Sequence, residues 1–264
     1  MGWRDRLIAS TAFTLRALER RLSFIALAVV AAAGWWFLLV SESAMTSMQG
    51  EGFIMDLMWV MMSPASPLPY IAAASVMWIV MMVAMMVPAV VPLAMMYRGM
   101  LRGDNTEGCT FVFALGYLAS WSVFSIAAAI VQWWLHANGW LHGMLLETSR
   151  PAAAGIFAVA GMWQLTPMKD ACLSHCQSPM SFLMEHWREG YSGALALGFR
   201  HGLFCIGCCW VLMLLMFAGG AMSVVVMAAL AAFILMERVI PGRLWSTQLP
   251  AVAMLAVACY LAFF

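Results

Sequence analysis

Apolar runs of membrane-spanning length recur along this chain, broken only by short polar connections, and nothing constrains its fold more. Seven runs are expected to be helices: residues 22–40, 70–97, 109–135, 151–167, 192–217, 223–240 and 249–264. Each approaches the roughly 17–25 residues a helix needs to cross a ~30 Å hydrocarbon core, the fourth and seventh being shortest. No connection is long enough to hold a soluble domain. The expected fold class is therefore all-α, a polytopic transmembrane bundle of about seven helices. It forms one domain over residues 22–264, after a basic arm at 1–21 that has the pattern of an interfacial helix. The composition, 65% hydrophobic and 9% charged, lies outside the range of soluble and of disordered chains. A net charge of +1 gives no reason to expect a nucleic-acid partner.

Lys and Arg set the expected orientation. With the N-terminus in the cytoplasm, Arg4, Arg6, Arg16, Arg20, Arg21, Arg98, Arg102, Lys169, Arg188, Arg238 and Arg243 all fall on the inner side. That asymmetry, eleven of 13 basic residues, follows the positive-inside rule and predicts a multi-pass integral membrane protein. The first apolar run has spanning length behind a long arm, so it is expected to be retained rather than cleaved as a signal peptide.

The 26 Met and 7 Cys residues have two readings: adaptable packing, or soft ligands for a soft metal. Position decides between them. In the fifth run, taking His201 as zero and about 100° per residue, Cys205, Cys208 and Cys209 fall within one stripe about 100° wide. Four candidate ligands on one stripe suit copper(I), with zinc as the alternative. An ionisable residue inside a span, here His201 beside Arg200, is costly and marks function. Ala194, Gly198 and Gly202 run alongside at i, i+4 and i+8, leaving room for a neighbouring helix to approach closely.

The second run places Met77, Met81 and Met85 on one side with Pro88 and Pro92, and Met82 and Met86 beside them. A Met stripe is more often packing than a ligand ladder, but thioethers do bind copper(I). The Met stripe and the His/Cys stripe overlap in depth, so the second and fifth helices are expected to face one another. A third cluster, Cys172, His175 and Cys176, shares a helical face at i, i+3 and i+4 in what hydropathy assigns to a cytoplasmic connection, where thiols stay reduced. Outside, Met45, Met48, Met55, Met58, Met61 and Met62 accompany Glu42, Glu51 and Asp56, and a second outer loop offers His136 and His142. Cys109 and Cys259 stand alone and read as packing. Glu237 is the expected partner of Arg200, unless Arg200 snorkels.

The segments 77–88 (MWIVMMVAMMVP), 164–179 (QLTPMKDACLSHCQSP) and 202–210 (GLFCIGCCW), with Glu237 and Pro241, resemble a bacterial family of metal-binding integral membrane proteins whose domain has no defined activity. The resemblance covers most of the chain and implies metal binding. Met81-x-x-x-Met85 and Met82-x-x-x-Met86 also look, locally, like the Met motif of copper uptake channels.

No nucleotide-binding loop, Ser-His-Asp arrangement or glycine fingerprint is present, so no catalytic residue is expected. The expected function is copper(I) handling by a transporter or membrane chaperone. Its partners would be the bilayer, the metal ion, and a metal chaperone or membrane complex. The rival readings are a thiol–disulfide oxidoreductase using Cys205-x-x-Cys208, and an accessory or assembly subunit in which Met and Cys only pack.

Overall fold

The computed structural model describes residues 24–45, 52–101, 105–143, 145–240 and 242–263. The basic arm, Met48, Glu51, Arg102 and Pro241 lie outside the described residues. Among the described residues ten helices carry the fold: α1 (Phe24–Met45), α2 (Phe53–Met62), α3 (Pro67–Met100), α4 (Thr106–Ala137), α5 (Arg150–Gln164), α6 (Pro167–Gln177), α7 (Pro179–His186), α8 (Gly190–Gly219), α9 (Val224–Val239) and α10 (Leu249–Phe263). One short π-turn, Leu244–Gln248, leads directly into α10. The only strands among the described residues are the two-residue pair β1 (Leu141–His142) and β2 (Glu147–Thr148), a hairpin closing the α8 end of the bundle.

Among the described residues five helices are long and apolar enough to cross a membrane: α1, α3, α4, α8 and the unit 244–263 that the π-turn extends to 20 residues. The expected seventh run is therefore not among the short ones. The short ones are α5, of 15 residues, and α9, of 16. Large apolar side chains lie exposed around the bundle, Trp36, Phe111, Val123 and Val225 among them. Water would penalise such a belt and lipid would not.

The α4–α8 pair forms the central seam, and the small residues of α8 are what let it close. A Cβ added at Gly198 would run into the Phe113 carbonyl, and one at Gly202 into the Ser120 hydroxyl. Gly116 of α4 meets the backbone of Leu195 in the same way. The spacing noted in the sequence is thus used for close backbone approach.

Helix α4 packs extensively on both α3 and α8, which corrects the expectation that α3 and α8 face one another directly. Those two meet at Trp78 and Phe217, whose ring centroids are 5.8 Å apart. Deeper in the bundle Tyr117 of α4 connects them. Its hydroxyl lies 3.4 Å from the Met86 carbonyl on α3 and 3.1 Å from Cys205 Sγ on α8.

Residues 150–186 hold the larger surprise. Trp163 meets Trp210, Cys172 meets Gly207, His175 meets Phe204 and Phe182 meets His201. Numbers rise on one side as they fall on the other, so α5, α6 and α7 form one broken column antiparallel to α8. Pro167 and Pro179 each open a new helix in it, as proline favours the first helical positions and ends the helix before it. The segment expected to be a cytoplasmic connection therefore lies along the middle of α8. Helix α9 runs back beside α8 from Val226 against Gly219 to Arg238 against Cys205. Helix α10 covers α5, with Leu255 and Ala251 at Gly161.

Candidate metal centre

The column formed by α5, α6 and α7 turns two sequence clusters into one. Cys172 Sγ would stand 2.8 Å from a Cβ placed on Gly207, so the glycine is what lets this thiol lie against α8. One turn on, Cys176 interacts with Cys208 across the same interface. Between them the His175 ring stacks on Phe204, 4.2 Å between centroids and 3° between planes, with Nδ1 2.8 Å from its own-helix carbonyl at Ala171. Cys205, Cys208 and Cys209 are buried on α8, with 1% exposure at most. Five of the seven cysteines therefore line one α6–α8 nest, and all are free thiols.

The nest has polar walls. Arg238 of α9 donates from Nη2 to Cys205 Sγ at 2.6 Å, and the Tyr117 hydroxyl approaches the same sulfur from the other side. The thiols of Cys208 and Cys209 each donate to the Cys205 carbonyl, at 3.1 and 2.9 Å. His201, one turn below Cys205, is buried between Tyr117 and Phe182, and its Nδ1 has no hydrogen-bond partner. Arg238 Nε is likewise sealed from solvent without a partner. Both nitrogens thus stand beside the thiols with hydrogen-bonding capacity unused, as do the indole nitrogens of Trp121 and Trp163 elsewhere in the bundle.

A second polar group lies on the same interface. Lys169 is fully buried, and its Nζ bonds Glu237 Oε1 and Oε2 at 2.7 and 2.9 Å and also Gln164 Oε1. Gln164 Nε2 donates to Glu237 at 2.8 Å, and Gln177 Nε2 donates to the Glu237 carbonyl at 2.7 Å. These bonds tie α5, α6 and α9 together behind the thiols. Glu237 is thus partnered by Lys169 and not by Arg200, which is exposed on the far side of α8. The distinction is geometric: Arg200 points away from the side of α8 on which Cys205 and Cys208 sit, whereas α6 delivers Lys169 to the α9 carboxylate. Lys169 and Arg238, assigned to the inner surface from charge placement, are both used inside the bundle.

Met77, Met81 and Met85 are buried in the core of α3, as are Met82 and Met86. Among the described residues no hydrogen bond reaches their sulfurs. At the outer loops, Met45, Met58 and Met61 are also core residues. His136 is held by the Tyr70 hydroxyl at 3.0 Å, His142 is exposed on β1, and Glu42 caps the Val224 amide at 3.1 Å. No outer cluster of donors is gathered from them. Cys109 is buried and Cys259 exposed, each away from the nest.

Among the described residues, no three His, Cys, Asp or Glu side chains converge closely enough to hold a metal ion as they stand. The local cause is visible in the rotamers, because Cys208 and Cys209 are turned back onto their own helix at the Cys205 carbonyl. The donors nevertheless fit a soft ion, being sulfur with an imidazole nitrogen nearby, and a rotation about χ1 is a small change.

Fold and site together define an all-helical protein with membrane-length helices around a buried thiol nest. The PpoB2 copper chaperone family matches residues 75–261, most of the chain and all of the nest, and the chain belongs to that family. Its role is therefore copper-related. No curated protein and no solved structure matches the chain.

Four residues of the site were not identified from sequence: Lys169, Arg238, Gln164 and Tyr117. Each acquires its role from a partner on another helix, 33 to 88 positions away.

Proposed function

We propose that the protein is a membrane-embedded copper(I) chaperone whose cargo is held in the α6–α8 thiol nest. The observation that carries this is the convergence of Cys172 and Cys176 with Cys205, Cys208 and Cys209, in a chain of a copper chaperone family. Thiolates favour copper(I), so thiols that face one another across α6 and α8 form a capture site to which both helices contribute. The five thiols, with His175 against Phe204 and His201 one turn below Cys205, offer positions for stepwise ligand exchange along α8. Met77, Met81 and Met85 lie in the apolar core of α3 and stand outside the nest in this reading. In this reading the chain crosses the bacterial inner membrane seven times. α5–α7 count as one broken crossing and α9 as another, and the N-terminus is cytoplasmic, as the basic residues outside the nest favour.

A thiol–disulfide exchange role for Cys205 and Cys208 is less well supported, because burial of both sulfurs leaves a redox partner no access. The test is elemental analysis of protein purified in detergent, wild type beside Cys205→Ser and Cys172→Ser. Copper at about one ion per chain in wild type, and its loss in both variants, is the expected result. Copper content unchanged in both variants would sink the reading.

A further inference from the structure

Arg238 is a half-buried cation whose bonded partner is sulfur and whose Nε is sealed from solvent. Its Nη2 bonds Cys205 Sγ, its Nε has no partner, and among the described residues no carboxylate stands at ion-pair distance from it. The adjacent Glu237 is fully engaged by Lys169 and Gln164. Lys169 and Glu237 cancel one another, which leaves the guanidinium of Arg238, protonated in any protein environment, with sulfur alone as its counterpart. The groups that act on it electrically are Cys176, Cys205, Cys208 and Tyr117, which are the walls of the nest. A charge withdrawn partly from water in this way is favoured when a negative group accompanies it.

We propose that Arg238 neutralises the metal–thiolate centre and thereby selects a singly charged ion over a doubly charged one. The inference rests on the reading of the nest as a copper(I) site. A singly charged ion held by two thiolates forms a centre of charge −1, which Arg238 brings to zero. A doubly charged ion on the same two thiolates is already neutral, and Arg238 leaves it at +1 in a water-poor interior. The penalty for that net charge falls on the divalent ion alone. Arg238 is therefore a positioning and specificity-determining residue. It makes no bond to the metal, and it also holds Cys205 in place.

Silver(I) and mercury(II) separate charge from softness, because both are soft and both accept two thiolates in a line. Detergent-purified wild type, Arg238→Gln and Arg238→Lys would be equilibrated with the two ions buffered by one competing dithiol, and the bound ratio measured by mass spectrometry of the metals. Arg238→Gln should lower the silver-to-mercury ratio by about tenfold or more, equivalent to about 1.4 kcal/mol. Arg238→Lys, which keeps the charge, should restore most of it. An unchanged ratio in Arg238→Gln overturns the proposal, and so does a Lys variant that behaves like Gln. Because the ratio is read on bound metal, partial loss of folded protein does not mimic the effect. If wild type binds no silver, or if Cys176→Ser and Cys208→Ser bind as wild type does, the copper site itself is wrong. If those variants lose metal while Arg238→Gln keeps the wild-type ratio, only the role of Arg238 fails.

Discussion

The protein has two sulfur-rich regions that look equally suggestive on paper and differ in what surrounds them. The methionine ladder of α3 is buried in the core, and among the described residues no hydrogen bond reaches its sulfurs. The cysteine nest between α6 and α8 is equally buried, yet it is bordered by a guanidinium, a phenol, two orphaned nitrogens and a Lys–Glu–Gln network. Apolar packing alone gives no reason to bury those groups, since each costs free energy unless matched. The comparison teaches that sulfur count is a poor guide to a metal site and that the polar company of the sulfur is a better one. A thioether that only fills space needs no such company.

The contrast can be broken in graded steps. The largest effect on the fold is expected from Lys169→Met, which leaves Glu237 buried without its cation. Removing one partner of a buried ion pair typically costs about 3–5 kcal/mol. Thermal unfolding in detergent should show a large drop, and Lys169→Met combined with Glu237→Met should recover much of it. A single variant as stable as wild type would mean that the network behind the nest contributes nothing.

An intermediate effect is expected at the seam that presents the nest. Gly198→Ala places a methyl against the Phe113 carbonyl, and overpacking of this kind costs about 1–3 kcal/mol. Metal bound per folded chain should fall less than in the cysteine variants, because α6 still reaches α8. The smallest effect is expected in the ladder itself. Met81→Leu conserves volume and should cost less than about 1.5 kcal/mol while leaving bound metal unchanged. If Met81→Leu instead removes metal as Cys205→Ser does, the separation between the two regions collapses, and α3 joins the site.

Much of the site was legible before any coordinates. The placement of His201, Cys205, Cys208 and Cys209 on one stripe of α8 follows from helical periodicity, and all four are buried together. The Cys172, His175 and Cys176 face of α6 was legible for the same reason. Their union was not. Lys169, Asp170, His175 and two prolines lower the hydropathy of residues 167–179 to that of a loop, which drew the segment out of the bundle. Lys169 belongs inside only because Glu237 neutralises it there from 68 residues away. Hydropathy scores residues singly and has no way to credit such a pair. The Arg200–Glu237 pairing failed for the converse reason, since two ionisable residues in neighbouring spans need not point at one another.

By itself the sequence determined that this chain is a helical bundle of membrane-length segments with two cysteine clusters and a methionine stripe. Those properties are local sums over apolar length and 3.6-residue periodicity, which the backbone obeys wherever it sits. Only the tertiary structure decided that the fourth span continues as a broken column along α8, that the two cysteine clusters are one nest, and that Arg238 and Lys169 serve its interior. Each of those depends on a hydrogen bond or close approach between helices. Their free energy exists only once the distant partner is in place.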